Sequence, residues 1–541
     1  VLMYAAWDFV WLLKEQPYRP WQITLVGTVV VIAVMEGVRR RAGWMLFGIV
    51  GVFLVYALFA DKVPGRLIGK ELSPVRLVQY VGFDPNAVFS TPLAVGTIIV
   101  LLFVFFGKLL FAAGGGAFFT DLAMAATGRS RGGSAKISVV GSALFGSISG
   151  SAVSNVVTTG VVTIPLAVAS TRGQLTPPIM GAAAFLMAEF LDISYFTVAG
   201  AALLPAALYY FSVFLQVDLI AGRDRIAPSD VDGLTVRQVL REGWHFVIPF
   251  GVLLGALFWR RMDPADSALL SAVAIVLVSF LRSYRGQRLT LKTLGQTFVE
   301  TGTGIVDLIL VVAAAGFVIG ILNITGLGFA LTLVLVDAVG ANVVLLLGIS
   351  AVICIVLGMG MPTSGVYVLL AALVAPSLVE AGIDQIAAHL FILYFGMMSM
   401  ITPPVALAAF AAATITKDDP LGTGLAAMRV GWAAFILPFV FVATPEILMQ
   451  GSWTGIVLNL GLALIGVGAV TAGIVGFWGN RLSAVLRLGV VALGIVTLPL
   501  GFLPGAAAWH IPAALMILAL AVILRLRARA GEKTNQGRRT T

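Results

Sequence analysis

Two stretches of the sequence place small and hydroxyl-bearing residues inside segments that are otherwise apolar. The first, GSISGSAVSNVVTTGVVTIP, runs from Gly146 to Pro165, and the second, GMGMPTSGVYVLLAALVAP, runs from Gly358 to Pro376. In a bilayer, backbone groups released from helical hydrogen bonding must pair with protein, water, an ion or a substrate. A matched pair of broken apolar segments, one in each half of a membrane protein, therefore indicates a transport site.

The first break is the more polar of the two. Asn155 and five hydroxyl groups fall within eleven positions of it, from residue 149 to residue 159. Small residues alone allow close helix packing in a membrane, and that alternative stays open. So many polar groups exceed what packing needs, which favours a turn that lines an ion or a substrate. The site residues predicted here are Ser149, Gly150, Ser151, Asn155 and Thr159.

The second break places flexible and rigid residues side by side. Pro362 removes a backbone donor and disfavours helix at the preceding residue, which leaves carbonyl oxygens free to coordinate a cation such as Na⁺. A half-helix that starts near Thr363 or Ser364 would point its N-terminus at an anionic substrate. A nucleotide-binding glycine loop is disfavoured, because no βαβ pattern surrounds the motif. The site residues predicted here are Gly358, Gly360, Thr363, Ser364 and Gly365.

Each break is followed by the same Thr-Pro-Pro tripeptide, at residues 176–178 and 402–404. Two consecutive prolines remove two backbone donors and fix a kink, and the threonine hydroxyl can replace one lost bond. As a matched pair after matched breaks, the tripeptides belong to the same predicted site. They add Thr176, Pro177, Thr402 and Pro403.

Few acidic residues lie within the apolar segments. Because a carboxylate inside a membrane is costly, Glu189 and Asp307 are candidate functional acids. The three histidines are far apart and predict no metal or catalytic set. The sequence holds no GxxxxGK[ST] or HExxH motif and no Cys/His cluster, so the chain is not predicted to be an enzyme.

The amino-acid composition indicates the class of protein to which these candidate residues belong. Of 541 residues, 60% are hydrophobic and 11% are charged. These values predict an all-α integral membrane protein with many crossings. Spans of about 20 residues are predicted at about 22–38, 43–60, 91–113, 193–216, 244–259, 264–281, 303–322, 342–357, 429–449, 453–475, 483–503 and 510–526. The broken segments raise the expected total to about 14 to 16 crossings or half-crossings.

The net charge of +9 comes from basic residues scattered at span ends, which argues against a nucleic-acid partner. By the positive-inside rule, the clusters at residues 39–41, 129–136 and 282–288 and the tail after residue 526 are predicted to be cytoplasmic. The polar tail is predicted to be disordered. Cys354 is the single cysteine, and its apolar surroundings predict an ordinary core residue.

Four phrases carry a resemblance to a known family: GSISGSAVSNVVTTG, GQLTPPIMGAAAFLMAE, GMGMPTSGVYVLLAALVAP and ITPPVALAAFAAA. They resemble the large membrane subunit of tripartite ATP-independent periplasmic (TRAP) transporters, over roughly residues 30 to 450. More narrowly, they resemble the fused-permease branch, in which the small and large membrane subunits form one chain. The partner in that branch is a TAXI-type periplasmic substrate-binding protein.

The resemblance implies an elevator-type secondary transporter, multi-pass in the bacterial inner membrane and surrounded by lipid. Internal inverted repeats, two re-entrant hairpins and two broken helices would form its mobile domain. Na⁺ gradients would drive uptake of a carboxylate, such as a dicarboxylate or an amino acid, delivered by the binding protein. No cofactor is expected besides Na⁺ as the coupling ion, bound at the positions named above.

The resemblance also divides the chain. The predicted parts are a remnant of the small subunit at 1–60, an amphipathic connecting arm at 61–90, the first repeat with hairpin 1 at 91–220, linker and scaffold helices at 221–289, the second repeat with hairpin 2 at 290–450, C-terminal scaffold helices at 451–526 and a basic cytoplasmic tail at 527–541. The arm lies either on the membrane surface or packed on neighbouring spans. From Pro165 to Thr176 is 11 positions, but from Pro376 to Thr402 is 26, so the first half is 15 shorter there.

An ion channel or pore is the alternative function. It would need a continuous polar stripe along several helices, whereas the polarity here is gathered into two matched breaks. A scaffold subunit is disfavoured too, because it has no use for two costly broken segments.

Overall fold

Helices form nearly all of the computed structural model, which describes residues 1–18, 20–149, 176–177, 180–226, 234–339, 342–502, 505 and 507–539. The helices before the first break are α1 (Leu2–Trp7), α2 (Phe9–Glu15), α3 (Trp21–Arg41), α4 (Trp44–Leu58), α5 (Pro74–Phe83), α6 (Thr91–Val95), α7 (Leu101–Ala112), α8 (Gly115–Thr127) and α9 (Gly133–Ser149). A π-helical turn, Gly96–Val100, joins α6 to α7.

Between the breaks lie α10 (Gly181–Phe190), α11 (Tyr195–Arg223), α12 (Val236–Glu242), α13 (Val247–Leu254), α14 (Pro264–Leu281), α15 (Leu291–Thr325), α16 (Leu327–Val339) and α17 (Val343–Gly358). After the second break follow α18 (Thr363–Leu373), α19 (Ala375–Glu380), α20 (Gln385–Met398), α21 (Leu407–Thr416), α22 (Pro420–Val430), α23 (Ala433–Ala443), α24 (Trp453–Val475), α25 (Ala484–Thr497) and α26 (Ala507–Arg539). A small antiparallel pair, β1 (Phe477–Trp478) and β2 (Asn480–Arg481), separates α24 from α25.

Seven helical spans within the described residues are long and apolar enough to cross a membrane. They are α3, α6 with α7, α11, α14, α15, α22 with α23, and α24. The bent pair Val236–Glu242 and Trp244–Trp259, with an angle of 69° between its parts, makes eight if it counts as one span. Other apolar helices of 10–17 residues are too short for the ~20 residues that a full crossing needs. The fold is thus an all-α polytopic membrane fold, as the composition predicts.

The same order of elements occurs in both halves of the chain. α7 and α15 are each followed by a left-handed glycine, Gly114 with φ +97° and Gly326 with φ +78°, and then by a 13-residue helix, α8 or α16. The 17-residue α9 then corresponds to the 16-residue α17. After each Thr-Pro-Pro tripeptide comes a 10-residue helix, α10 or α21. These matches define an internal structural repeat.

The two repeats run in opposite directions. The span formed by α6 and α7 packs along α15, and three contacts set its direction. A Cβ added at Gly96 would lie 3.9 Å from Leu308, the Phe105 and Phe298 rings are 4.6 Å apart, and Lys108 Nζ is 3.4 Å from Glu300 Oε2. From Gly96 to the later residues Phe105 and Lys108, the contacted residue of α15 falls from Leu308 to the earlier positions 298 and 300, so the two helices are antiparallel. Because these helices hold the same place in their repeats, the repeat is inverted.

The core surrounds α15, α18 and α20. All residues of α20 from Ala387 to Met398 are buried, and so are those of α15 from Val311 to Val318. The first nine residues of α18, from Thr363 to Ala371, are also buried. A helix that is apolar on every side lies inside the protein, so these three helices form its centre.

The connecting arm packs on a neighbouring span. Its helix α5 approaches α3 so closely that a Cβ added at Gly82 would lie 2.5 Å from the carbonyl oxygen of Gly27. Gln79 Nε2 donates to Thr24 Oγ1 at 2.7 Å across the same contact. Of the two arrangements expected for the arm, this is the loop helix packed on neighbouring spans.

The start of α15 and the state of the C-terminal tail differ from what the sequence predicts. α15 starts at Leu291 rather than near 303, because Thr290 and Thr293 form a capping box ahead of a stretch that is helical but not apolar. The prediction of a disordered tail is wrong, since α26 continues to Arg539. Alanine, arginine, lysine and glutamate favour helix and extend it. Cys354 is buried and free, as predicted.

Candidate transport site

The second break joins α17 to α18 through residues 359–362. Both helices pack along α20, so the chain turns back at the break. Gly360 has φ +74°, a left-handed conformation that favours glycine. In α18, the amide of Val366 donates to the carbonyl of Pro362 at 3.0 Å. The amides of the three residues between them lie in the first turn, where an α-helix has no intrahelical acceptor to offer.

Two glycines of the break allow close packing. A Cβ added at Gly365 would overlap Val311 Cγ1 of α15. A Cβ added at Gly358 would lie 2.8 Å from the carbonyl oxygen of Gly396 and 2.9 Å from Ser399 Oγ. Real Cβ atoms do not come this close, so both positions require glycine for a steric reason that the sequence pattern did not reveal. Their predicted role in turning carbonyl oxygens toward an ion stays a prediction.

The second Thr-Pro-Pro tripeptide lies against the break. Ser399 Oγ donates to the carbonyl of Gly396 at 2.6 Å, and Thr402 Oγ1 donates to the carbonyl of Met398 at 2.7 Å. The threonine hydroxyl thus supplies a helix-end hydrogen bond of the kind predicted for this motif. Thr363 Oγ1 lies 3.9 Å from Met400 Sδ. The break and the kink therefore form one cluster that is partly buried.

The two predicted acids lie in different surroundings. Glu189 is exposed at the end of α10, where it lines cavities of about 710 and 250 Å³. Asp307 lies 3.6 Å from Arg41, and both side chains are about half exposed. Asp307 lies 18 residues, or about 27 Å along the helix, before Thr325, the last residue of α15. Asp307 is thus charge-paired, one turn of α15 away from Val311.

The first break falls almost wholly outside the described residues. Ser149 ends α9, and Gly150, Ser151, Asn155 and Thr159 lie outside the described residues. Their roles stay predictions. Thr176 and Pro177 are half-buried, ahead of α10, as Thr402 and Pro403 are ahead of α21.

A family model matches most of the chain. The model described as "Tripartite ATP-independent periplasmic transporter, DctM component" covers residues 29–456, well over half of the chain. The chain belongs to this family. It is thus a TRAP-transporter permease, a multi-pass protein of the bacterial inner membrane and not an enzyme, as predicted from its sequence. Permeases of this family work with a periplasmic substrate-binding protein.

Individual relatives are distant. The C4-dicarboxylate TRAP transporter large permease protein DctM of Pseudomonas aeruginosa is 24% identical over 387 residues, covering 67% of this chain and 88% of the relative. An uncharacterized protein, y4mL, of Sinorhizobium fredii is 26% identical over 339 residues, covering 59% and 79%. A solved structure, the YdaH transporter of Alcanivorax borkumensis, aligns with a TM-score of 0.43 and 16% identity, covering 75% of this chain and 98% of that one.

Sequence reasoning missed a polar contact in the centre of this TRAP permease. Tyr367 Oη lies 2.7 Å from His389 Nδ1, and both side chains are buried. The ring of Phe190, from the first repeat, packs on both, with centroids 6.1 and 6.5 Å away. This contact joins α10, α18 and α20. The sequence offers little indication of this contact, because Tyr367 and His389 are 22 positions apart in two apolar helices.

Replacing Thr402 by valine should lower the free energy of unfolding and the apparent affinity for Na⁺ in uptake. Valine keeps the shape but loses the bond to Met398, which costs about 1 kcal/mol. If the hydroxyl also binds the ion, the Na⁺ concentration for half-maximal uptake should rise at least ~10-fold, since a bond to a charged group contributes about 1.5–3 kcal/mol. Thermal unfolding and Na⁺ titration of uptake measure the two effects.

The matched control is Thr414→Val in α21. The Thr414 hydroxyl donates to the carbonyl of Phe410 at 2.9 Å, in the same i−4 geometry but on an exposed face. We expect its Na⁺ dependence to be unchanged. An unchanged Na⁺ dependence in Thr402→Val would remove that hydroxyl from the ion site.

Proposed function

We propose that this chain is the permease of a Na⁺-coupled, binding-protein-dependent secondary transporter that imports an organic acid by an elevator mechanism. The observation that carries the proposal is the contact between the second break and the second Thr-Pro-Pro kink, inside an inverted repeat. The first turn of α18 offers amides to a carboxylate, and the kinked backbone offers carbonyl oxygens to Na⁺.

The name of one relative supports the proposed substrate class. A relative is named as a C4-dicarboxylate permease, which supports a carboxylate substrate here. We propose a TAXI-type binding protein as the partner that selects it. The helices α3 and α4 would be the end of a fused small subunit. α3 packs on α15, where Gly37 lies against Leu310 and Arg41 pairs with Asp307. The large-subunit family model begins at residue 29, within α3, so the boundary between the two parts would lie before or inside this helix.

The position of the second break supports an inward-facing arrangement. A Cβ added at Gly360 would lie 3.8 Å from Met45 Sδ, near the start of α4. Met45 follows the arginine cluster 39–41, which the positive-inside rule assigns to the cytoplasm. The site would thus lie near the cytoplasmic side, and an elevator movement would carry it toward the periplasm. We infer that the present arrangement corresponds to the release step rather than to substrate capture.

Uptake into proteoliposomes tests the proposal. A panel of radiolabelled carboxylates is offered with and without the neighbouring binding protein and an inward Na⁺ gradient. We expect uptake only when both are present. Flux that needs neither would support a channel, and flux that needs the binding protein but not Na⁺ would overturn the coupling ion. No flux in any condition would count against this function and direct attention to the shortened 165–176 segment.

A further inference from the structure

A cavity of about 710 Å³ lies between α6, α10, α11 and the chain that leads into α14. A smaller cavity of about 250 Å³ adjoins it, because Thr91 and Glu189 line both. The larger volume falls within the range of about 300–1,000 Å³ that is typical of small-molecule sites. None of the described residues of the second break or its kink lines either cavity, so this space is separate from the transport site.

The two cavities lie at the periplasmic end of the spans around them. α11 and α14 each end near a basic cluster that the positive-inside rule assigns to the cytoplasm. Asp218 of α11 pairs with Lys136, and Arg282 follows α14. The large cavity is lined instead by the first residues of these helices, Tyr195 and Pro264. Because both helices are long and apolar enough to cross the membrane, the cavity lies at the opposite surface.

The rim of the large cavity is apolar and faces outward. Ile98 is 56% exposed and Phe196 is 54% exposed, and both line the cavity. Trp259 lies two residues before the lining residue Arg261 and is 89% exposed. Exposed tryptophan side chains are enriched where a membrane meets water. The cavity therefore opens sideways toward the lipid of the outer leaflet, at the depth of the headgroups.

Opposite charges line the large cavity. The side chains of Glu189 and Arg261 form no hydrogen bond or ion pair with any residue that the structure describes. Arg261 has φ +51°, a conformation that is uncommon for a residue with a side chain and recurs at functional sites. Asp263 is the third charged residue of the lining. One positive and two negative charges favour a ligand that carries a cationic group, and they disfavour an anionic lipid or a free organic acid.

The small cavity offers hydrogen-bond acceptors. Ser90 is 8% exposed, and its Oγ has no hydrogen-bond partner among the described residues. Buried polar groups are normally hydrogen-bonded, so this hydroxyl indicates a polar ligand. Asn86 lines the same cavity and donates through Nδ2 to Asp84 at 3.0 Å, which leaves its amide oxygen as an acceptor. An ammonium group has three donors, which matches the hydroxyl, this amide and the Glu189 carboxylate.

Two π-helical turns border the large cavity. The turn Gly96–Val100 contributes Ile98 and Ile99, and the turn Gly255–Trp259 contributes Leu257. Turns of this kind are rare and occur frequently at functional sites. Their meeting at one cavity is an observation independent of charge, and it supports a binding site here.

We propose that the two cavities bind a phospholipid whose headgroup carries an ammonium group beside its phosphate, as phosphatidylethanolamine does. Glu189 and Ser90 accept hydrogen bonds from the ammonium group in the small cavity, and Arg261 donates to the phosphate in the large one. The acyl chains leave over Ile98 and Phe196. The lipid thus joins α10 to α6 and to the start of α14, and Glu189 binds a headgroup rather than the transported ion.

Native mass spectrometry of the delipidated full-length protein tests this proposal. Phosphatidylethanolamine, phosphatidylglycerol and phosphatidylcholine are titrated separately. We expect the first to bind at least ~10-fold more tightly than the others, because phosphatidylglycerol lacks the ammonium group and that of phosphatidylcholine has no hydrogen to donate. Glu189→Gln and Arg261→Gln should each weaken its binding at least ~10-fold. Arg261→Lys keeps the charge and should bind within about threefold of the unaltered protein.

Asp192→Asn and Arg260→Gln are the matched controls. Both residues are exposed, each is close in sequence to Glu189 or Arg261, and they line neither cavity. Asparagine also tolerates the φ of +50° at position 192. We expect both variants to bind phosphatidylethanolamine like the unaltered protein.

Several outcomes would overturn the lipid site. They are equal binding of phosphatidylethanolamine and phosphatidylglycerol by the unaltered protein, undiminished binding in both Glu189→Gln and Arg261→Gln, and a loss in the controls as large as in these variants. Displacement of the lipid by soluble glycerophosphoethanolamine or succinate would assign the cavities to a soluble solute instead. The comparison of lipids on the unaltered protein does not depend on the folding of any variant. Because the readout is binding, it is also independent of uptake and of the proposed function.

Discussion

Replacing Asn155 by leucine should abolish Na⁺-dependent uptake while the protein still inserts into the membrane. Asn155 is the only side-chain amide in the polar first break, and leucine of similar size offers no oxygen. A hydrogen bond to a charged group contributes about 1.5–3 kcal/mol, so Na⁺ binding should weaken by roughly 10- to 150-fold. Insertion should not suffer, because leucine favours the membrane.

Na⁺ titration of uptake, normalised to the inserted protein, measures this effect. Asn459→Leu is the matched control, because Asn459 is half-buried in α24, outside both repeats. We expect its uptake to stay normal. Normal uptake by a well-inserted Asn155→Leu variant would remove Asn155 from the site and leave close helix packing as the role of the first break.

The breaks could be predicted from the sequence because polar residues stand out against apolar ones. The tripeptides at 176–178 and 402–404 also gave the correct order of the repeat. Its inversion could not be counted from hydropathy, because many helices are too short to be scored as spans. It became visible only when contacts such as that between Phe105 and Phe298 set the direction of two equivalent helices.

Ion pairs between distant parts of the chain could not be predicted for a different reason. Arg285 and Asp121 form an ion pair although they are 164 residues apart, and neither belongs to a recognisable motif. Nothing local identifies the partner of such a residue. The same holds for Arg66 and Asp337, whose pairing depends on the packing of the segment between α4 and α5 against α16.

Comparison of the two halves shows which element the shorter first half lacks. Between Pro376 and Thr402 lies the 14-residue α20, which packs along both helices of the second break. The 11 positions between Pro165 and Thr176 cannot hold a helix of that length and its turn. The sequence after the first break therefore has no counterpart of α20 before its Thr-Pro-Pro tripeptide.

Replacing Gly365 by alanine should reduce uptake at least ~10-fold, and adding Val311→Ala should restore much of it. The new Cβ would overlap Val311 Cγ1, and such overpacking costs about 1–3 kcal/mol. Relief of the overlap by a shift of α18 would displace Thr363 and Ser364 from their buried positions at the break. Val311→Ala removes the overlapping methyl group. Initial uptake rates and unfolding temperatures of the single and double variants measure both effects.

Gly348→Ala in α17 is the matched control, because a Cβ added there meets no atom within 4 Å. It should leave uptake unchanged and stabilise the helix by about 0.5–1 kcal/mol. The double variant then distinguishes two roles of Gly365. Recovery means that glycine serves close packing between α18 and α15. If the double variant stays as inactive as Gly365→Ala, crowding against Val311 is not the cause, and the backbone of Gly365 at the ion site is the remaining reason for glycine.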